Sequence, residues 1–306
     1  MLVLAPPEPP PLPDAPRAVA GALGRPLGHP ALDRFLEPGD RVVVAALPGA
    51  EDLTPAVEAV LEAARRAGVA SIAVLSRPDE GAPHAELEPA SFGAVRVHRA
   101  FAEADRIVAV SAIGFDPLFG LRGGPAALLR IAADRPTRDR VGAPAELQEL
   151  AGRLGPVFAV EVAFQRGGRP SAVFAGEPGP AHRAARDYWM RWRSVDVGEG
   201  FEGVVAEVPG TGALEAATSL LLAAQALRPG GILAVVGARP DLAALEFPLA
   251  RAVARLFAAH PVIFAADVEE AFAALRGRLP GRRLAHLPDP LRTLPLRGGI
   301  RVPSAP

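Results

Sequence analysis

The chain of 306 residues contains no cysteine and no lysine. Without thiols it has no disulfide framework, no thiolate metal site and no cysteine nucleophile. All 33 basic residues are arginine, so neither a Schiff base nor a lysine-tethered cofactor can form; a GC-rich genome is the simplest source of that bias. The formal charge of −1 gives no electrostatic case for nucleic acid or an anionic membrane surface. Long apolar runs are also missing. The most apolar region, Leu242 to Ala266, is interrupted by Glu246, Pro248, Arg251 and Arg255 and breaks at His260-Pro261, which excludes a membrane span. The opening "MLVLAPPEPPPLPDAP" has no basic leader and its prolines forbid a helix, so the expectation is a cytoplasmic protein without a secretory signal. No P-loop lysine and no G-x-S-x-G elbow occur. The six histidines (His29, His84, His98, His182, His260, His286) lack the i, i+4 spacing of a local metal site, and no metal is expected.

Half of the positions are apolar, enough to bury a large core. From Gly39 onward short β-branched runs alternate with alanine- and leucine-rich amphipathic runs, the pattern of an α/β protein with largely parallel sheets. Strands are predicted at 41–47, 71–76, 106–114, 157–164, 202–210, 231–237 and 262–267. Helices are predicted at 54–67, 125–133, 180–193, 213–227 and 268–277, the first ending at Gly68. The proline-rich head up to Asp14 and the tail after Arg297 have the composition of extended or disordered ends. A polar, glycine-containing connection at 193–200 suggests two domains, 15–198 and 199–300.

Two loops invite a ligand. "PGAEDLTP" follows the first good strand and leads into a helix, so Asp52 and Thr54 either cap that helix or touch a ligand at the carboxyl edge of the sheet. "GFDPLFGLRGGPAALL" sets Gly120, Gly123 and Gly124 between a strand-like and a helix-like run. They serve either turn geometry and tight helix packing or the close approach of a ligand to the backbone. Arg122 adds a fixed positive charge beside the helix start, which favours a carboxylate or phosphate. "VVAEVPGTG" with "ALRPGGILAVV" is a weaker signal: it lacks a full G-x-G-x-x-G run, and RPGG reads above all as a helix C-cap and turn.

In order along the chain, "RPLGHPALDRFLEPGDRVVVAALPGAEDLTP", "VHRAFAEADRIVAVSAIGFDPLFGLRGGPAALL", "AVEVAFQRGGRPSAVFAGEPGPAHRAA" and "VVAEVPGTGALEAATSLLLAAQALRPGG" resemble segments of the nickel-pincer lactate racemase (LarA-like) family, over roughly Arg25 to Gly231. The resemblance implies two Rossmann-like α/β domains with a cleft between them. In the family a pincer cofactor is tethered through a lysine, a histidine completes the nickel site, and two further histidines exchange protons during racemisation of a 2-hydroxy acid. Carried onto this sequence, the tether position falls on Ala126 and one catalytic histidine falls on Asp116, which could still accept a proton. The other catalytic histidine falls near Arg77, and the nickel histidine has no counterpart between Arg130 and Glu146. Asp52 and Thr54 keep the first, phosphate-contacting motif, with Pro55 in the arginine's place. The second domain's glutamine and lysine fall near Ser219 and Leu222.

The expectation is therefore a lactate racemase-like protein without the tethered cofactor. It binds a small anionic ligand through Asp52, Thr54, Arg122, Gly123 and Gly124, with Asp116 as the candidate proton-exchanging group. The alternatives are a divergent racemase or epimerase of a hydroxy or sugar acid, and a subunit whose role is an interface; oligomerisation stays open.

Overall fold

The computed structural model describes residues 2–47, 51–77, 79, 81–116, 119–141, 143–210, 212–245 and 247–297. These fall into two compact units. One comprises 9–114 and 119–189, and the other 2–8, 115–116 and 190–297. Among the described residues no helix is long and apolar enough to cross a membrane.

The first unit is built on a five-stranded sheet in the order Pro170–Gly176, Val157–Phe164, Arg106–Ala112, Arg41–Ala46, Ser71–Leu75. All neighbours are parallel except the Pro170–Gly176 edge, which runs antiparallel to Val157–Phe164. The three interior strands are buried almost throughout, which is why, Ser111 and Glu161 apart, they read as near-continuous apolar runs rather than as alternating ones. Their two faces feed two cores. Val42, Val44, Val108, Val110, Phe158 and Val160 pack under the helices Ala15–Gly24 and Thr54–Ala67. Val43, Ala45, Ile107, Ala109 and Val157 pack under Gly124–Ala132 and Pro144–Arg153. Thr54–Ala67 ends where expected, with Gly68 in the left-handed region at φ 72°. An antiparallel hairpin, His84–Ala90 with Gly93–His98, is inserted after the edge strand.

The second unit carries an all-parallel sheet in the order Leu2–Val3, Leu284–Leu287, Phe201–Val208, Leu227–Gly237, Val262–Ala265. Ala213–Gln225 packs on one face and Val268–Arg278 on the other. Two expectations are corrected here. The proline-rich head is not a loose end: Leu2 and Val3 pair with Ala285 and His286, Leu4 is 1% exposed, and Glu8 meets the buried Arg193 at 3.4 Å. An edge position suits such a segment, because its prolines follow the pairing residues and need not donate to a ladder. RPGG does not end a helix either. The helix stops at Gln225, and residues 228–231 bulge out of the Leu227–Gly237 strand, whose register jumps between Phe201↔Leu227 and Gly203↔Ile232. The expected tail lies outside the described residues.

Candidate functional site

Numbered by their order along the chain, the strands of the first sheet run 5-4-3-1-2, so the strand order reverses between Arg41–Ala46 and Arg106–Ala112. At such a switch point the loops leaving the two strands diverge to opposite faces and open a crevice at their carboxyl ends. The loops in question are those after Ala46 and after Ala112; with the first residues of the helices they lead into, they carry the proposed ligand and proton-exchange residues Asp52, Thr54, Asp116, Arg122, Gly123 and Gly124. Residues 48–50, 117 and 118 of these loops lie outside the description.

Asp52 and Thr54 serve the helix that follows them. Asp52 Oδ1 accepts the Thr54 N–H at 2.9 Å, and hydrogen bonds from Thr54 hold the exposed carboxyl below its ordinary range. An apolar cavity lined by Val19, Leu53, Ala56 and Val162 lies beside Asp52. Its volume of 10 Å³ is room for about one water.

Arg122 ends the short strand Gly120–Arg122 and folds back over Gly114, where an added Cβ would sit 2.8 Å from its Nε. Its Nη2 lies 3.5 Å from the Glu51 carboxylate, and the pair is largely buried. The Nε–H is buried and has no hydrogen-bond partner among the described residues. Asp116 is buried at 2% exposure and belongs to the second compact unit.

Gly123 and Gly124 open the helix Gly124–Ala132, and what they touch was not expected. Gly123 is extended (φ −177°, ψ −162°), so its backbone does not require glycine, but its surroundings do. A Cβ there would lie 2.2 Å from His182 Nδ1 and 2.7 Å from Glu161 Oε1. Glu161 is fully buried in the interior strand Val157–Phe164, and its Oε1 accepts the Gly124 N–H at 2.9 Å. It thereby caps a helix whose own N-cap residue has no side chain. Both Glu161 oxygens lie 3.1 Å from His182 Nδ1. His182 is held there by the helix Pro178–Arg193. The entry to that helix is set by Gly176 at φ 135°, whose Cα is approached so closely by the Leu27 backbone that a side chain would overlap it.

The structure thus gathers Arg122, Gly123 and Gly124 with Glu51, Glu161 and His182, while Asp52 and Thr54 turn to their own helix. Ser111 lies in register with Glu161 on the neighbouring strand, fully buried, and its Oγ has no hydrogen-bond partner among the described residues. One sequence signal could have revealed Glu161: it is the single charged residue in an otherwise apolar eight-residue strand. In the second unit the corresponding reversal, between Phe201–Val208 and Leu284–Leu287, is spanned by His286 Nε2 and Glu207 at 2.7 Å.

No family model and no curated protein matches the sequence. Among solved structures, the lactate racemase apoprotein from Thermoanaerobacterium thermosaccharolyticum is similar with a TM-score of 0.76 at 14% identity, over 95% of this chain and 100% of that one. The chain has the lactate racemase fold. A protein of Thermotoga maritima solved by structural genomics is similar with a TM-score of 0.65 at 11% identity, over 94% of this chain and 99% of that one. At these identities the likeness carries the fold alone.

A lysine-tethered pincer does not fit the residues present. The position implied for the tether, Ala126, is a methyl group 1% exposed in the first turn of Gly124–Ala132, packed in the apolar cluster beneath that helix. Among the described residues no three His, Asp or Glu side chains are arranged to hold a metal.

Proposed function

We propose that this chain is a lactate racemase-like protein that works without a lysine-tethered nickel-pincer cofactor and binds a small anionic ligand at Arg122. The observation that carries the reading is the Arg122 guanidinium at the switch-point loops, with one edge on Glu51 and its buried Nε–H without a partner among the described residues. A buried donor left without an acceptor is costly, and a carboxylate or phosphate oxygen would satisfy it with a charge-assisted bond. The missing amine at Ala126, and in the whole chain, supports the first half of the reading.

Thermal-shift screening of small organic acids and sugar phosphates, followed by calorimetry, tests the second half. Arg122→Ala should weaken the bound anion by about 1.5–3 kcal/mol, the range for a hydrogen bond to a charged group. Glu51→Gln should tighten it, because a competing carboxylate is removed. Absence of anion binding at millimolar concentration, or binding indifferent to Arg122→Ala, overturns the reading. Racemisation of lactate that is lost in Asp116→Ala would identify a divergent racemase instead.

A further inference from the structure

The two five-stranded sheets have four edges, and three of them are guarded. Pro170–Gly176 opens on a proline and is bonded along its outer side by its own chain. The Leu12 N–H donates to the Pro170 carbonyl at 2.8 Å, the Leu27 N–H to the Ala175 carbonyl at 2.8 Å, and the Glu177 N–H to the Leu27 carbonyl at 2.9 Å. Leu2–Val3 offers only two residues before the prolines of the head. Val262–Ala265 follows Pro261 and has the Arg239 guanidinium lying over the Phe264 ring at 3.9 Å. Proline, shortness, charge and cover are the ordinary protections of a strand edge.

Ser71–Leu75 has none of them. The strand is five residues long, contains neither proline nor charge, and pairs with Arg41–Ala46 without a shift of register. Its outer side makes no hydrogen bond among the described residues. The hairpin that follows sends Leu87 and Phe92 into the core shared with Ala73 and Leu75 but does not pair with the edge. Val74 is an apolar side chain left 47% exposed on this edge.

We propose that Ser71–Leu75 is where two copies of this chain join, strand against strand, about a two-fold axis through Ala73. Self-complementarity argues for the occupant. A two-fold axis pairs the strand with itself antiparallel, so Ala73 meets the partner's Ala73 and Ile72 meets the partner's Val74. The exposed Val74 then covers a half-buried Ile72 on each side of the axis, and a small residue stands at the axis itself. No like charges meet, since Arg77, just beyond the strand, falls beside the partner's Val69. A foreign strand could use the bare backbone, but a second copy meets both halves of this match with the same five residues. Five paired residues a side is small beside the roughly 20–30 of a standard interface, so the dimer is reversible, with a dissociation constant in the micromolar range. The joint is independent of anion binding at Arg122.

Sedimentation velocity on the full chain, over a concentration series reaching several hundred micromolar, should show a monomer–dimer equilibrium. Val74→Lys should weaken it about tenfold, because it plants two like charges on backbone positions about 8 Å apart across the axis, each beside an apolar neighbour. Its urea-unfolding midpoint should stay near the native one, since the side chain is half exposed. The chain has no cysteine, so Val74→Cys gives one thiol per copy, and a short bismaleimide should link two copies through it. Phe247→Cys, 64% exposed on the other unit, should give no such link. If Val74→Lys fails to fold, the cross-linking of Val74→Cys decides. A chain that stays monomeric throughout, a dimer indifferent to Val74→Lys, or an equal yield of cross-link from Phe247→Cys overturns the proposal.

Discussion

Gly123→Ala asks whether the paired glycines are required by the protein's own interior. The φ of −177° is open to any residue, so the substitution adds no backbone strain and its whole effect is steric. The new Cβ would be 2.2 Å from His182 Nδ1, 2.6 Å from His182 Cε1 and 2.7 Å from Glu161 Oε1, whereas ordinary contact begins near 3.4 Å. The imidazole is a quarter exposed and can swing outward; Glu161, at 0% exposure in an interior strand, moves only by giving up the Gly124 N–H. Overpacking of this kind costs about 1–3 kcal/mol, and losing a hydrogen bond to a charged group about 1.5–3 kcal/mol. Since relief of one partly substitutes for the other, the expected loss is about 2–4 kcal/mol. In a His182→Ala background the shortest contact is gone, and the same substitution should cost about 1–2 kcal/mol less. Urea unfolding of the four proteins of this cycle, with midpoints compared at unchanged slope, gives the numbers. A cost below about 0.5 kcal/mol, or an equal cost in both backgrounds, would refute the account of why glycine stands here.

Two further outcomes follow from contacts remote from that loop. His98 Nδ1 accepts the Ala100 N–H at 3.1 Å and caps the helix Arg99–Ala102, while burial first and neighbouring His84 second push its proton affinity below the usual histidine value of 6.5. Its contribution to stability is therefore present above about pH 6.5 and lost as pH falls through the lower folded-state value, and His98→Asn, which caps without titrating, should flatten that part of the unfolding-midpoint profile. Glu8→Ala deprives Arg193, 2% exposed, of one carboxylate. The cost should be about 2 kcal/mol in urea unfolding, below the 3–5 kcal/mol of a fully buried pair because Glu8 is one-third exposed, and a null result would mean that the head is dispensable.

The scaffold was legible where burial writes itself into composition. The run Val157–Phe164 and the helix Thr54–Ala67 appear with the same ends in sequence and structure, the first because an interior strand covered on both faces tolerates little but apolar residues, the second because Gly68 marks its stop. Two-residue pairing at Leu2–Val3 carries no period, and its partner strand lies at the other end of the chain, so proline content dominated the reading of the head. Pro170–Gly176 was missed for a related reason: an edge strand opening on proline and closing on glycine looks like a loop. Within the candidate site, spacing conceals the decisive contacts. Glu161 and His182 are 21 residues apart on different elements, and Arg122 and Glu51 are 71 apart. No local pattern encodes either pair, although the lone charge in an apolar strand marked one member.

The glycine pair and the arginine, adjacent in sequence, thus have different causes. The amide of Gly124 is already occupied by Glu161, so the partial positive charge of that helix start is met from inside the protein rather than held open for a guest. Glu51 likewise occupies one edge of Arg122. Two internal carboxylates at one loop make it a poor anion cradle in its backbone, so the anion proposed above would have to be met by the Nε edge of the guanidinium. The two substitutions should then separate cleanly. Gly123→Ala should lower stability while leaving anion affinity nearly unchanged, and Arg122→Ala should weaken the anion at a smaller cost in stability. If both variants lose affinity in step with stability, the loop acts as a single ligand cradle and Glu161 is a competitor for it rather than its cap.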